Sequence, residues 1–191
     1  MTSEKNDKII VWQNGNSPYS LLYDDIYYSP DGLAESTAVF LDGIGAPDIW
    51  RDKDHFTIGE QGFGTGLNFL NTAKRWIETT SDHQKLTYFA CELHPLASGD
   101  IDKAIVWPDL KPYKDQLLVH YPETKISLYN GRITLLLYFC NSLEMLQKHG
   151  LKADAWYLDG FAPSKNLAMW TDEIFQHLAR LSNDGAALAT F

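Results

Sequence analysis

The chain has 191 residues, of which 45% are hydrophobic and 21% are charged, and its formal net charge at pH 7 is −9. This length fits one domain with a substantial core and is short for two domains of ordinary size. The negative charge argues against a protein that grips nucleic acid through its own surface, since phosphate binding relies on clustered lysine and arginine side chains.

The N-terminus and the cysteines indicate a protein of a reducing compartment. Residues 1–8 are polar and lack the apolar stretch of a signal peptide, and no apolar run reaches the length of a bilayer span. Cys91 and Cys140 each lie in an apolar, strand-like segment, so we expect free thiols and a cytoplasmic location. The six histidines are scattered without the spacing of metal ligands, and we therefore predict no metal site.

The first 50 residues are predicted to differ in character from the rest. Aromatic and β-branched residues surround a turn cluster at residues 13–18, which indicates an irregular hairpin within residues 9–29. Residues 32–42 are predicted to be helical. We therefore expect an N-terminal extension, residues 1–50, formed of a hairpin and a helix and packed on a core formed by residues 51–191.

From residue 56 onward, strand-like and helix-like segments alternate. Strands are predicted at residues 56–60, 86–93, 125–129, 132–139, 155–158 and 186–191. Helices are predicted at residues 66–79, 109–121, 142–149 and 171–181, and helical turns follow the strand at 86–93 through about residue 106. The pair Asn130–Gly131 predicts a hairpin. The alternation predicts an α/β fold with a mostly parallel, doubly wound sheet, in which ligands bind beyond the carboxyl ends of the strands.

The predicted strand that ends at Glu60 is followed by three glycines, Gly62, Gly64 and Gly66. Glycines at alternate positions let the backbone turn sharply between a strand and a helix and approach a bound ligand closely. A dinucleotide fingerprint requires glycine where Leu67 stands, so the pattern favours S-adenosylmethionine over NAD. A tight strand-to-helix connection without a ligand is the alternative interpretation.

Two further polar residues follow predicted strands. Glu92 can accept hydrogen bonds from both ribose hydroxyls of an adenosine, a role that NAD and S-adenosylmethionine share; a solvated carboxylate at the strand end is the alternative. The amide of Asn141 can bind an adenine ring, and the same residue is a natural N-cap for the helix that follows. The two roles of Asn141 are compatible.

The sequence Asp159-Gly-Phe-Ala-Pro163 places an acid and an aromatic ring on a loop that proline makes stiff. A carboxylate beside an amine can orient the amine and accept the proton released on methylation, and Phe161 can stack on a base or shield the methyl group from water. Lys165 and Trp170 can meet a phosphate and a base, or they can be a surface lysine and a packed tryptophan. A strand-end turn with an acidic cap is the alternative for the motif.

Several motifs together resemble the methyltransferase domains of the MnmC family, the bacterial bifunctional tRNA 5-methylaminomethyl-2-thiouridine biosynthesis proteins. The similarity runs from about Trp12 to the end of the chain. It includes residues 12–16, 23–29, 32–35, 62–70 and 154–163. The glycine motif is common to many methyltransferases, whereas Asp-Gly-Phe-Ala-Pro-x-Lys-Asn together with Trp-Gln-Asn-Gly is far more specific.

The resemblance implies a Rossmann-like class I methyltransferase with strand order 3-2-1-4-5. It also implies methylation of the aminomethyl nitrogen at C5 of the wobble uridine in tRNA, with S-adenosylmethionine as donor and Asp159 as the catalytic residue. The residues expected to bind the cofactor are Glu60, Gly62, Phe63, Gly64, Thr65, Gly66, Asn68, Glu92, Asn141 and Asp159. The residues expected to bind the substrate are Tyr28, Phe161, Pro163, Lys165 and Trp170.

The sequence departs from the family pattern at three places. Cys140–Asn141 stands where the family commonly has Gly-Asp, and Leu167 replaces a proline. Family domains continue beyond the position of Phe191 with a helix and a last strand pair that carries basic residues, so we expect a core that is incomplete at its C-terminus. Full-length members usually carry a separate FAD-dependent oxidase domain, to which nothing in this chain corresponds. The alternatives are a methyltransferase for a small amine and a cofactor-binding module without activity.

Overall fold

The structure is a computed structural model that describes residues 9–13 and 17–191, and it contains a small and a large β-sheet. The strands are β1 (Ile10–Gln13), β2 (Ser17–Ser20), β3 (Asp25–Ile26), β4 (His55–Gln61), β5 (Lys85–Cys91), β6 (Lys125–Leu128), β7 (Ile133–Tyr138), β8 (Ala153–Leu158) and β9 (Ser182–Thr190). The α-helices are α1 (Gly32–Ser36), α2 (Leu67–Thr79), α3 (Ser98–Ala104), α4 (Lys111–His120), α5 (Ser142–Lys148) and α6 (Asp172–Arg180).

The large sheet has the order β6-β7-β5-β4-β8-β9. All neighbouring strands from β7 to β9 are parallel, and β6 pairs antiparallel with β7 at the edge. With β4 as the first strand, this is the order 3-2-1-4-5 with one added edge strand, which confirms the predicted fold class. The predicted hairpin is also confirmed, with Asn130 at φ 53° and Gly131 at φ 79° in its turn.

The N-terminal segment shares its hydrophobic core with the large sheet. Trp50 is fully buried, and its ring meets Trp76 of α2 edge to face at 5.4 Å between centroids. The ring centroids of Phe40 and of Tyr157 in β8 are 5.1 Å apart. These contacts attach the segment to both α2 and β8. The proposed division of the chain at residue 50 stays a prediction.

Some elements differ from the sequence-based expectation in extent. The N-terminal hairpin is a three-stranded antiparallel sheet, and part of its predicted turn, residues 14–16, lies outside the described residues. The helix predicted over residues 32–42 is α1 followed by a π-helical turn at Thr37–Leu41. β9 begins at Ser182, four residues before the predicted start. None of the helices in the described ranges has both the length and the apolar character needed to cross a bilayer.

Candidate functional site

A cavity of about 1110 Å³ lies at the carboxyl ends of the parallel strands. The glycine turn after β4, Glu92 after β5, Asn141 after β7 and Asp159 after β8 all line it. Residues of the N-terminal segment, including those of α1, form part of its wall. Most small-molecule sites occupy roughly 300–1,000 Å³, so this cavity has room for a nucleoside cofactor and part of an acceptor.

The glycine turn can be built only with glycine at key positions. Gly62, Gly64 and Gly66 have φ values of 89°, 52° and 76°, which L-amino acids with a side chain rarely adopt. A Cβ atom on Gly62 would lie 2.3 Å from the carbonyl oxygen of Asp159, and one on Gly66 would lie 2.9 Å from the Phe63 ring. The turn therefore depends on close contact with the Asp159 backbone.

The other members of the motif have separate positions in the turn. Phe63 and Thr65 are buried, and both contribute to the cavity wall. The Phe63 ring is stacked on the ring of the buried Tyr121, with 6.4 Å between their centroids. Phe63 therefore packs mainly into the core. Asn68, in the first turn of α2, lines the cavity and is buried.

Glu92 is fixed to the glycine turn by two backbone hydrogen bonds. Its Oε2 accepts from the Gly64 amide at 2.8 Å, and its Oε1 accepts from the His94 amide at 2.8 Å. Each carboxylate oxygen keeps a further lone pair. Glu92 can therefore accept ligand hydroxyl groups from a set position beside the turn.

Asn141 caps α5. Its Oδ1 accepts a hydrogen bond from the Glu144 amide at 2.9 Å, which confirms the predicted N-cap. Among the described residues, no partner is assigned to the Asn141 Nδ2 group. Its binding to adenine stays a prediction, in which Nδ2 is the available donor.

Glu60 is placed behind the cavity wall. Its side chain is 1% exposed, and its Oε1 accepts a hydrogen bond from Asn68 Nδ2 at 3.0 Å. Burial, reinforced by the charge of Asp159, raises the pKa of Glu60 well above its usual value of 4.5. Glu60 thus reaches the cavity through Asn68, whereas the sequence suggested a direct meeting with a ligand.

The side-chain amide of Asn68 that donates to Glu60 also donates to Asp159. Asp159 Oδ2 accepts from Asn68 Nδ2 at 2.6 Å, and the Asp159 side chain keeps a partly exposed surface in the cavity. Burial raises the pKa of Asp159 to about 7, the hydrogen bond from Asn68 lowers it, and the charge of Glu35 raises it. A carboxyl group with this pKa can exchange a proton near neutral pH.

The loop after Asp159 docks on the N-terminal segment. The Phe161 ring is stacked on Tyr23 at 4.4 Å and meets Tyr27 edge to face at 5.7 Å. Lys165 Nζ donates to the Asp24 carbonyl at 2.9 Å and forms an ion pair with its carboxylate at 3.2 Å. Phe161 and Lys165 are therefore engaged by protein groups, where the sequence had suggested a base and a phosphate.

The remaining predicted substrate residues are at or near the cavity wall. Trp170 Nε1 donates to the Phe161 carbonyl at 3.1 Å, and the Tyr28 hydroxyl donates to the Ala104 carbonyl at 2.5 Å. Pro163 is exposed at the cavity. The two hydrogen bonds give Trp170 and Tyr28 structural roles in the wall.

The sequence analysis did not identify Glu35 and Ser36 as site residues. Glu35 lines the cavity and acts electrostatically on Asp159, and Ser36 donates to Asn68 Oδ1 at 2.7 Å. Both residues belong to the segment predicted to be helical, residues 32–42. A polar residue in a predicted helix is usually interpreted as facing the solvent. The three consecutive polar residues Glu35 to Thr37 were the feature of the sequence that could have indicated a polar site here.

Known proteins resemble this chain in sequence and in fold. A family described as S-adenosyl-L-methionine-dependent methyltransferase matches residues 108–191. The bifunctional MnmC protein of Magnetococcus marinus is 43% identical over 191 residues, an alignment with 95% of this chain and 28% of the relative. That of Burkholderia thailandensis is 38% identical over 201 residues, with 100% of this chain and 31% of the relative.

A solved structure, MNMC2 from Aquifex aeolicus, superposes with a TM-score of 0.80 over 94% of this chain and 58% of that one, at 19% sequence identity. At this identity the superposition shows the fold. The chain spans about 30% of the length of the curated relatives it matches. The chain is therefore similar to S-adenosyl-L-methionine-dependent methyltransferases over residues 108–191, and to the MnmC proteins over the part of their length that it covers.

Proposed function

We propose that this chain binds S-adenosylmethionine in the cavity and methylates the aminomethyl nitrogen at C5 of the wobble uridine or 2-thiouridine in tRNA. The observation that carries the proposal is the position of Asp159: its backbone carbonyl lies against the glycine turn, and its side chain lines the same cavity as that turn. Burial raises the pKa of its carboxyl group to about 7. The names of its relatives, tRNA 5-methylaminomethyl-2-thiouridine biosynthesis proteins, support the choice of acceptor.

The residues present fit this cofactor. The positive-φ glycines leave the backbone without side chains where a ligand approaches, and Glu92 offers carboxylate oxygens for ribose hydroxyls. Asn141 Nδ2 is the donor we assign to the adenine ring. Asn68 contributes to the cavity wall, but both of its amide hydrogens are used by protein carboxyls. We therefore assign Asn68 and Glu60 to the support of Asp159, assign Asp159 to proton transfer, and retain the other predicted cofactor residues.

S-adenosylmethionine supplies an electrophilic methyl group on a sulfonium when bound. The acceptor nitrogen forms the new N–C bond with its lone pair, the S–CH₃ bond breaks with its electrons on sulfur, and S-adenosylhomocysteine remains. The alkylated nitrogen then carries an extra proton, which the Asp159 carboxylate accepts. The stiff loop from Asp159 to Pro163 and its stacking on Tyr23 hold this carboxylate in one position.

The charge of the cavity favours an amine. Its charged lining residues are the acids Asp25, Glu35, Glu92, Asp159 and Glu173, and within the described ranges no lysine or arginine belongs to the lining. Such a cavity attracts a cationic acceptor. The same charge suits a free small amine, which is the second candidate, and tRNA phosphates need basic groups elsewhere.

The proposed partners and location follow from the same assignment. We propose tRNA as the macromolecular substrate, and a separate FAD-dependent oxidase domain as a partner that is fused or free. We place the activity in the cytoplasm, because Cys91 and Cys140 are free thiols.

The choice of acceptor is tested by comparing methyl transfer to tRNA bearing 5-aminomethyl-2-thiouridine with transfer to free primary amines. We expect the modified tRNA to give the higher kcat/KM, and tRNA that lacks the aminomethyl group to be inert. Faster transfer to the free amines would support the second candidate. Absence of S-adenosylmethionine binding in calorimetry would contradict both enzyme assignments.

Substitution of Glu92 by glutamine is expected to weaken S-adenosylmethionine binding by about tenfold. The carboxylate accepts hydrogen bonds from the Gly64 and His94 amides, and the glutamine NH₂ group would face one of these two donors. We therefore expect the turn to be held less firmly, and the ligand hydroxyl groups lose a charged acceptor. Calorimetry measures the change. Glu78→Gln, on the exposed side of α2, is the matched control, and an equal effect in both variants would contradict the assignment.

Methyl transfer is expected to increase as the pH rises through about 7. Asp159 must be unprotonated to accept a proton, and burial raises its pKa to about 7. The pH profile of single-turnover rates measures this, with Asp159→Asn as reference. The titration of the acceptor amine is common to both proteins and cancels in their ratio, so a ratio that does not change between pH 6 and 8 would contradict the role of Asp159.

A further inference from the structure

A directed chain of hydrogen bonds ends on Asp159. Asn71 Nδ2 donates to Ser36 Oγ at 3.2 Å, and Ser36 Oγ donates to Asn68 Oδ1 at 2.7 Å. Asn68 Nδ2 donates to Glu60 Oε1 at 3.0 Å and to Asp159 Oδ2 at 2.6 Å. Every member of the chain except Asp159 is buried, so water does not compete for these bonds.

The direction of the chain follows from the chemistry of its groups. An amide nitrogen only donates and an amide oxygen only accepts, whereas a hydroxyl does both. Ser36 Oγ accepts a hydrogen bond from Asn71 Nδ2 and donates its own hydroxyl hydrogen to Asn68 Oδ1. With its oxygen held in this way, Asn68 turns both N–H groups toward the two carboxyls.

The segment that supplies Ser36 is itself held in place. Asn71 Nδ2 also donates to Thr37 Oγ1 at 2.9 Å, and Thr37 Oγ1 donates to the Leu33 carbonyl at 2.9 Å. These bonds join the end of α1 to α2. Ser36 is therefore presented to Asn68 by a fixed helical turn.

We propose that Asn68 and Ser36 are positioning residues for Asp159: Asn68 holds the carboxyl with a donated hydrogen bond, and Ser36 fixes the orientation of the Asn68 amide. This inference rests on the proposed function of Asp159 as the proton acceptor. It assigns the N-terminal segment a part in the reaction, because Ser36 belongs to α1, which precedes the strands and helices of the large sheet.

The sign of the effect follows from the groups that face Asp159. A donor from Asn68 stabilises the ionised carboxyl and opposes the effect of burial. Glu60 of β4, Glu35 of α1 and Tyr88 of β5 are the titratable groups whose charges interact with it, and none of the three is a cation. Asn68 is thus the group that favours the ionised form. An amide released by loss of Ser36 can turn its oxygen toward a protonated Asp159, which raises the pKa of that carboxyl.

The test is a ¹³C NMR titration of the Asp159 carboxyl in the whole chain without ligand, assigned by its loss in Asp159→Asn. We expect Ser36→Ala to raise the pKa of Asp159 by about 0.5–1 pH unit. Glu35→Gln removes a negative charge and is expected to lower the pKa. Ser182→Ala removes a hydroxyl that bonds Trp156 Nε1 and the Leu178 carbonyl, away from the cavity and from Asn68, and is the matched control.

A second variant covers the case that Ser36→Ala does not fold. Asn71→Ala removes the hydrogen bond that directs Ser36, and we expect a smaller upward shift of the pKa. If Ser36→Ala or, failing that, Asn71→Ala leaves the pKa of Asp159 where Ser182→Ala leaves it, or lowers it, the positioning role is wrong.

The titration needs neither cofactor nor tRNA, so it separates this inference from the proposed function. In the methyl-transfer assay, the pH profile of Ser36→Ala is expected to shift upward by the same amount as the titration. A protein with no methyl transfer at all would contradict the proposed function, while the carboxyl titration would still decide the role of Ser36 and Asn68.

Discussion

Replacement of Asp159 by asparagine is expected to lower the rate of methyl transfer by about 10²–10⁴-fold, the usual contribution of a positioned acid–base group. Asparagine keeps the shape of the side chain but cannot accept the proton that the alkylated nitrogen releases. The S-adenosylmethionine affinity is expected to remain within about threefold, a difference of under 1 kcal/mol. Single-turnover rates and calorimetry measure the two quantities separately.

The matched control is Asp154→Asn, at the opposite end of β8. Asp154 Oδ2 accepts from the Thr57 amide at 2.8 Å, and its Oδ1 accepts from Asn183 Nδ2 at 2.8 Å, so this carboxyl has a structural role. We expect this variant to lose some stability and to keep its rate. A comparable loss of rate in both variants would show that Asp159 acts through stability alone.

The stability of Asp159→Asn is expected to exceed that of the unsubstituted chain at pH 8 and to equal it below pH 4. The pKa of Asp159 is raised from its usual value of 3.8 to about 7 in the folded chain. Between these two pH values the folded state therefore binds more protons than the unfolded state. The carboxyl therefore lowers the free energy of unfolding as the pH rises from about 4 to about 7. Thermal unfolding at both pH values measures this, and a variant less stable at pH 8 would contradict it.

Substitution of Gly62 by alanine is the second change for which we expect a large effect. Gly62 has a φ of 89°, and a Cβ atom there would lie 2.3 Å from the carbonyl oxygen of Asp159. The backbone of the turn must shift, because neither atom belongs to a flexible side chain. We expect a loss of at least about 2 kcal/mol of unfolding free energy, from left-handed strain and displaced backbone together. S-adenosylmethionine binding is expected to be lost in calorimetry.

Gly45→Ala separates strain from contact. Gly45 has a φ of 80°, and a Cβ atom there would meet nothing within 4 Å. This variant carries the same left-handed strain, about 1–2 kcal/mol, without the clash. We expect it to bind S-adenosylmethionine normally. Equal stability and equal binding in the two variants would mean that the close approach of the turn to Asp159 is unimportant.

The sheet could be predicted from the sequence because its signals are local. The Asn130–Gly131 turn and the alternation of strands and helices depend on residues that are neighbours in the chain. The strand-end positions of Glu92, Asn141 and Asp159 followed from that alternation and from the rule that ligands bind at the carboxyl ends of parallel strands. The structure places all three on one cavity.

The support of Asp159 could not be predicted, because it depends on contacts between distant residues. Asn68 and Asp159 are 91 positions apart, and Ser36 and Asn68 are 32 apart. The docking of Lys165 on Asp24 joins residues 141 positions apart. No periodicity or turn residue signals such pairs, so Glu60 was assigned to the ligand although it lies behind Asn68.

The most direct test is a single-turnover reaction of this chain with isotopically labelled S-adenosylmethionine and tRNA bearing 5-aminomethyl-2-thiouridine, followed by mass spectrometry of the nucleosides. Our account predicts one labelled methyl group on the aminomethyl nitrogen of the wobble nucleoside with the unsubstituted chain, and a loss of at least about 100-fold in rate with Asp159→Asn. Label on another nucleoside, or equal rates with the two proteins, would contradict it.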